Sequence, residues 1–198
     1  MDFDFKRNAT FTAIILLIAA VTQAVYTAMY VAEMTPPRQL LWGSEGFLFV
    51  MLGAFAGAAM AQAKSLHLGW SAILGAAILN VVQVGVGLTM FGPFREVAQA
   101  VPDAAPAASG VVAFSFMVYN AAKVLLALAA IVFGMAKMGA GDKALGGLTV
   151  AIGAIAFVSN TLSMALGRGF TEIPIAGGSG VLATILLAVV LFGVSEED

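Results

Sequence analysis

The chain has 198 residues, of which 61% are hydrophobic and only 10% are charged. Soluble domains carry about a quarter of their residues as Asp, Glu, Lys and Arg, so this balance excludes an ordinary soluble fold and predicts an integral membrane protein. A formal net charge of −2 gives no reason to expect a nucleic-acid partner, and the absence of cysteine excludes disulfides, thiolate nucleophiles and iron–sulfur clusters.

A bilayer core of ~30 Å needs ~20 predominantly apolar residues per helix. Six stretches qualify, at about 9–32, 44–63, 66–91, 109–138, 144–166 and 174–194. The predicted fold is therefore an all-α bundle of six transmembrane helices. It forms a single transmembrane domain over residues 1–198, with no soluble domain.

Ahead of the first span, Lys6 and Arg7 imitate the start of a signal peptide, and Thr22-Gln23-Ala24 imitates a weak cleavage site. Asp2 and Asp4 do not suit that reading, and the apolar run continues to about Ala32, so a retained helix is expected. Thr35-Pro36-Pro37-Arg38 then breaks the chain, and Trp42 closes a segment suited to the headgroup level. In the second span Gly53, Gly57 and Ala61 fall in line, a small-residue pattern that lets helices approach closely.

Ala63-Lys64-Ser65 turns the chain into the third span, which carries Asn80, Gln83 and Thr89. His67 beside that turn reads as solvated or headgroup-facing. As the sole histidine it cannot build a multi-histidine metal site or bis-histidine haem ligation. The loop from Gly92 to Ser109 holds Pro102 and Pro106. Within it Phe94, Val97 and Val101 recur at helical spacing beside Arg95 and Glu96, so residues ~93–101 form either a short interfacial helix or a loop dipping into the interface.

The fourth span carries Tyr119, Asn120 and Lys123, and Gly139 to Lys143 forms the next turn. The fifth carries Ser159, Asn160, Thr161 and Ser163 before Gly167-Arg168-Gly169. Gly177-Gly178-Ser179-Gly180 precedes an apolar remnant too short to cross alone, about 21 Å at 1.5 Å per residue, which puts the glycines inside the outer leaflet. Two readings of that run stay open: unwound backbone lining a cavity, or a close-packed helix start.

Lys and Arg in short loops set orientation. Lys6, Arg7, Lys64, Lys137 and Lys143 fall on one side, against Arg38, Arg95 and Arg168 on the other. The expected topology is N-in and C-in, in a cell membrane, with the bacterial inner membrane as the expected location. In that orientation most intramembrane polar groups lie at mid-depth or in the outer half, while Phe11 to Ala20, Val124 to Ala136 and Ile185 to Val194 are almost wholly apolar.

Lys123 dominates the functional reading. A charge near the bilayer centre costs a few kcal/mol or more, so it persists where it faces protein or water. Three roles compete: a structural ion pair, an anion or polar-ligand site, and a titrating group in proton coupling. Glu45 and Glu33 are the candidate counter-ions. Asn80 with Gln83, Asn120 with Lys123, and Asn160 with Ser163 each pair polar residues at i and i+3, hence on one helix face. Each Asn serves either as glue between helices or as part of one shared polar cavity.

The expected ligand-binding set is Lys123, Asn120, Asn80, Gln83, Asn160, Tyr119, Gln23, Gly178 and Gly180. Its expected ligand is small and polar or anionic, with no cofactor and no metal. The expected activity is that of a small transporter, channel or substrate-binding membrane component with an outward-opening polar cavity. An accessory subunit of a larger membrane complex is the alternative, with partner helices or a second copy of the chain bound in the bilayer. A lipid- or quinone-modifying enzyme is third, because the sequence carries no metal-binding, nucleophile or phosphate-loop motif and no close pair of buried carboxylates.

Overall fold

In the computed structural model, which describes residues 3–34, 36–167 and 175–195, long apolar runs punctuated by proline and glycine fold into seven helices. These are α1 (Phe5–Val31), α2 (Arg38–Gln62), α3 (His67–Thr89), α4 (Phe91–Ala100), α5 (Ala105–Gly139), α6 (Lys143–Leu166) and α7 (Ile175–Leu191), with a 3-10 turn at Pro102–Ala104. No strand occurs among the described residues. Five stretches, Phe5–Met29, Arg38–Gln62, His67–Ala100, Pro102–Gly139 and Lys143–Leu166, are long and apolar enough to cross a membrane. The sixth expected span falls on α7, whose 17 residues cover about 26 Å. Residue 174, the turn residues Arg168 and Gly169, and Thr35 lie outside the described residues.

Local chemistry sets the helix ends. Asp4 caps α1 by accepting the Arg7 N–H at 2.8 Å, and Asp142 caps α6 by accepting the Leu145 N–H at 3.2 Å. Two starts differ from the sequence expectation. α2 begins at Arg38 and not near 44, because Pro37, with φ −72°, sits directly ahead of the first turn. α5 begins at Ala105 and not near 109, with Pro106 in its first turn, where the missing N–H costs nothing. The expected 92–108 loop is therefore mostly helical, and Met90 keeps αR geometry between α3 and α4.

Backbone neighbours trace a ring: α1 meets α2, α2 meets α3, α3 meets α5, α5 meets α7, and α7 returns to α1. α6 lies outside this ring against α5 and α7, and α4 rests on α3 and α5. α1 and α5 face each other across the ring without backbone contact. The buried positions are largely alanine, among them Ala13, Ala20, Ala56, Ala76, Ala122 and Ala130. Large apolar side chains point outward instead, as on α1 with Ile14, Ile18, Val21 and Val25 and on α6 with Leu148, Ile155 and Val158. That inversion suits helices in lipid, where association rests on close packing and not on removing apolar surface from water.

At the end of the bundle holding the α1 N-terminus, large side chains do fill the interior. Phe5 and Phe133 meet Trp70 edge to face at centroid distances of 5.7 and 5.1 Å. Gly69 makes room for this group, since a Cβ there would stand 2.6 Å from the Phe133 ring. Leu16, Leu52, Ile73, Leu126 and Leu187 continue the packing toward mid-bundle. Gly53 and Gly57 pack on α3 near Leu74 at ordinary van der Waals distance. The tightest crossing is between α5 and α6, where a Cβ on Gly146 would come 2.6 Å from the Gly134 carbonyl oxygen.

Candidate ligand cavity and its polar floor

Lys123 stands near the middle of the 35-residue α5, with about 24–27 Å of helix on either side. It is 1% exposed. Its stem runs across the ring, and Nζ donates to Gln23 Oε1 on α1 at 2.5 Å and to Thr184 Oγ1 on α7 at 3.5 Å. The ammonium also lies 5.4 Å from the centroid of the Tyr119 ring. One side chain thus ties three helices together, including two whose backbones are not neighbours.

Glu45 on α2 supplies the nearby negative charge. It is 5% exposed and accepts the Thr22 hydroxyl at 2.6 Å. Its charge and that of Lys123 interact through space, with no direct ion-pair contact between them. Glu33 is exposed, in left-handed geometry (φ 55°) just past α1, and makes no contact with Lys123. Of the two candidate counter-ions, the fold brings only Glu45 toward the lysine.

The three asparagines are not brought together around Lys123 by hydrogen bonds. Asn80 donates to the Ala76 carbonyl of its own helix at 2.9 Å, leaving its Oδ1 buried without a partner. Asn160 donates to Ala156 O at 2.8 Å and to Ala176 O at 3.1 Å, so it bonds α6 to the first turn of α7. Ser159 and Ser179 reinforce that seam at 3.1 Å. Asn120 is buried on α5 one turn from Lys123. For Asn160 the geometry is that of helix-to-helix glue.

The Gly177 to Gly180 run is helical, which overturns the unwound reading. Gly178 faces open space, whereas a Cβ on Gly180 would meet Lys123 Cδ at 3.2 Å and Asn160 Nδ2 at 3.5 Å. Gly180 is thus the notch into which the lysine stem fits. Gly178→Leu is expected to leave the melting temperature nearly unchanged. Gly180→Leu is expected to destabilise by about 1–3 kcal/mol through overpacking, as read by thermal unfolding in detergent.

Above this polar layer, at the end opposite the aromatic packing, lies a cavity of about 820 Å³. Gln23 and Glu45 line it from α1 and α2, Gln83 from α3, and Ser115 and Tyr119 from α5. Gln83 donates to the Ser115 hydroxyl at 3.4 Å. Lys123 itself is not in the wall; it holds Gln23, which is. Asn80, Asn120, Asn160, Gly178 and Gly180 also lie outside the wall, while Gly177 belongs to it.

The other half of the wall was not anticipated from the sequence. Arg38 and Trp42 of α2 and Phe91 and Arg95 of α4 all line the cavity, joined by Tyr26 of α1. The Arg38 guanidinium carbon lies 5.2 Å from the Trp42 ring centroid and 5.4 Å from that of Phe91. Trp42 meets Phe91 edge to face at 5.8 Å and Tyr26 in a tilted arrangement at 5.5 Å. Gly87 admits the indole, because a Cβ there would collide with it. The available signal is the i, i+4 spacing of Arg38 with Trp42 and of Phe91 with Arg95, which the expected boundaries hide by leaving Arg38 and Trp42 outside the second span and dividing Phe91 from Arg95 at the end of the third. Among the described residues no group of His, Asp and Glu could hold a metal ion. Comparison with protein-family models, with curated proteins and with solved structures finds no match.

Proposed function

We propose that the protein is a small substrate-binding membrane component, transporter or channel, whose cavity opens outward from a cell membrane, N-in and C-in, in the bacterial inner membrane. The observation that carries this reading is the asymmetry of the ring's interior. One end is filled by Phe5, Trp70, Phe133 and the leucines beneath them, while the other holds the ~820 Å³ cavity with a polar floor. Ligand sites of this kind pair apolar walls with a few placed polar groups. Gln23, Gln83, Ser115 and Tyr119 are the floor groups that would meet a small polar or anionic ligand, with Lys123 as the positioning residue that holds Gln23.

The outward faces of α1 and α6 carry Ile14, Ile18, Val21, Val25, Leu148, Ile155 and Val158, apolar side chains that suit contact with lipid. The enzymatic reading has no hydrogen-bonded acid–base pair to start from, since among the described residues Glu45 accepts a hydrogen bond from the Thr22 hydroxyl and from no titratable side chain.

Thiol accessibility tests both cavity and orientation, because the chain has no cysteine of its own. Ser109→Cys and Val112→Cys, exposed and half-buried in the cavity wall, should react with a small impermeant thiol reagent added from outside, and Thr149→Cys, fully buried at the other end, should not. Asp103→Cys should label from outside and Asp142→Cys only after the membrane is opened. Silence at both cavity positions from either side removes the cavity reading. Labelling of Asp142→Cys but not Asp103→Cys reverses the orientation.

A further inference from the structure

We propose that the cavity, resting on the reading just given, takes an amphipathic anion: one carboxylate or phosphate group carried on an apolar body. The recognition group is Arg38. Its guanidinium lies over the rings of both Trp42 and Phe91, and contacts to its faces leave the in-plane N–H edges as the polar surface of the group. Those edges are the ones that match a carboxylate or phosphate oxygen pair. Its Nε is buried with no hydrogen-bond partner among the described residues, so the surrounding protein leaves part of the guanidinium fork unsatisfied.

A second cation, Arg95, lines the same end of α4, and neither arginine makes an ion pair among the described residues. Glu45 lines the cavity too, where it would repel a second acid and disfavour a dianion lying along the cavity. One Glu45 oxygen accepts from Thr22 and Gln83 donates to Ser115, whereas Arg38 makes no ion pair among the described residues, so the demand for a single acid centres on Arg38. Between these groups Trp42, Phe91, Val112 and Phe116 offer apolar and aromatic wall for the body of the ligand. A volume of about 820 Å³ suits a drug-sized or acyl-chain molecule better than a bare inorganic ion.

The same chemistry could arrive as a free acid or as an anionic lipid of the bilayer, and Trp42 reports on both. The full chain in lipid nanodiscs is titrated with 11-bromoundecanoate, with its methyl ester, and with 3-bromopropionate, since bromine quenches an indole on contact. In a second arm, brominated phosphatidylglycerol is compared with brominated phosphatidylcholine at equal bromine content. The expected result is saturable quenching by the long-chain acid but not by its ester or by 3-bromopropionate, or stronger quenching by the anionic lipid than by the zwitterionic one. Whichever arm responds identifies the source. Arg38→Gln should raise the half-saturating concentration about tenfold or more, Arg38→Lys by less, and Trp42→Phe should remove the signal.

Equal quenching by acid and ester together with equal quenching by the two lipids, or an Arg38→Gln response like that of the native chain, overturns the proposal. If Arg38→Gln fails to fold, as judged by circular dichroism, Arg95→Gln and the acid-to-ester comparison in the native chain decide it. The thiol labelling of Val112→Cys separates the two levels. Reactive Val112→Cys with no anion preference sinks only the ligand class, whereas unreactive Val112→Cys sinks the cavity as well.

Discussion

Lys123→Ala is expected to be the most damaging change at any charged position, lowering the stability of the detergent-solubilised protein by about 2–5 kcal/mol. Three losses combine. The stem that crosses from α5 to α1 disappears and leaves a void beside Gly180. Gln23 and Thr184 each lose a donor, and Glu45 keeps its burial while losing the positive charge that acts on it. Lys123→Met separates these effects, because it restores most of the stem without the ammonium. It should recover part of the melting temperature while freeing Gln23 to move, so that ligand binding in the cavity fails although the bundle folds. A double-mutant cycle with Glu45→Gln measures the through-space coupling of the two charges: the pair of substitutions should cost less than the sum of the single ones. Native-like melting together with native-like binding in Lys123→Met would remove the lysine from the centre of the site.

Gly146→Leu is the second large effect. α5 and α6 approach so closely there that even a methyl group would sit 2.6 Å from the Gly134 carbonyl oxygen and 2.7 Å from the Met138 backbone nitrogen. Two of the three nearest atoms are backbone, the third being Met138 Cγ, so a rotamer change alone cannot make room and the helices themselves must separate. A Cβ on Gly153, two turns along α6, would likewise stand 3.0 Å from Ile131 Cγ1 and 3.2 Å from the Ala127 carbonyl oxygen, so the crossing is close along its length. The expected outcome is failure to accumulate as folded protein, with Gly146→Ala an intermediate case at about 1–3 kcal/mol, read by thermal unfolding. Gly147→Leu, where nothing lies within 4 Å, is the matched control and should melt like the native chain. Equal melting of the two leucine variants would show that this crossing does not limit stability.

Composition and hydropathy by themselves determined the helical class and the approximate extents of the long helices, because a bilayer-length apolar run admits little other than helix. They also singled out Lys123, Gln23, Gln83 and Tyr119, since each is a polar residue inside an apolar run and must be answered by protein or water. What lay beyond reach was which of these groups meet. Gln23 and Lys123 are a hundred positions apart and on helices without backbone contact, so only the closing of the ring, with Gly180 as a notch, joins them. The i, i+3 pattern of the asparagines placed them on helix faces but could not say which faces turn inward. Asn160 turned to the α6–α7 seam, and Asn80 to its own backbone. Arg38, Trp42, Phe91 and Arg95 escaped notice for the opposite reason. They lie at the ends of apolar runs, where polar and aromatic residues are expected at an interface in any case. Their joint cavity exists because α2 starts directly after Pro37 and α4 continues α3 through Met90, two backbone geometries that a hydropathy window cannot register.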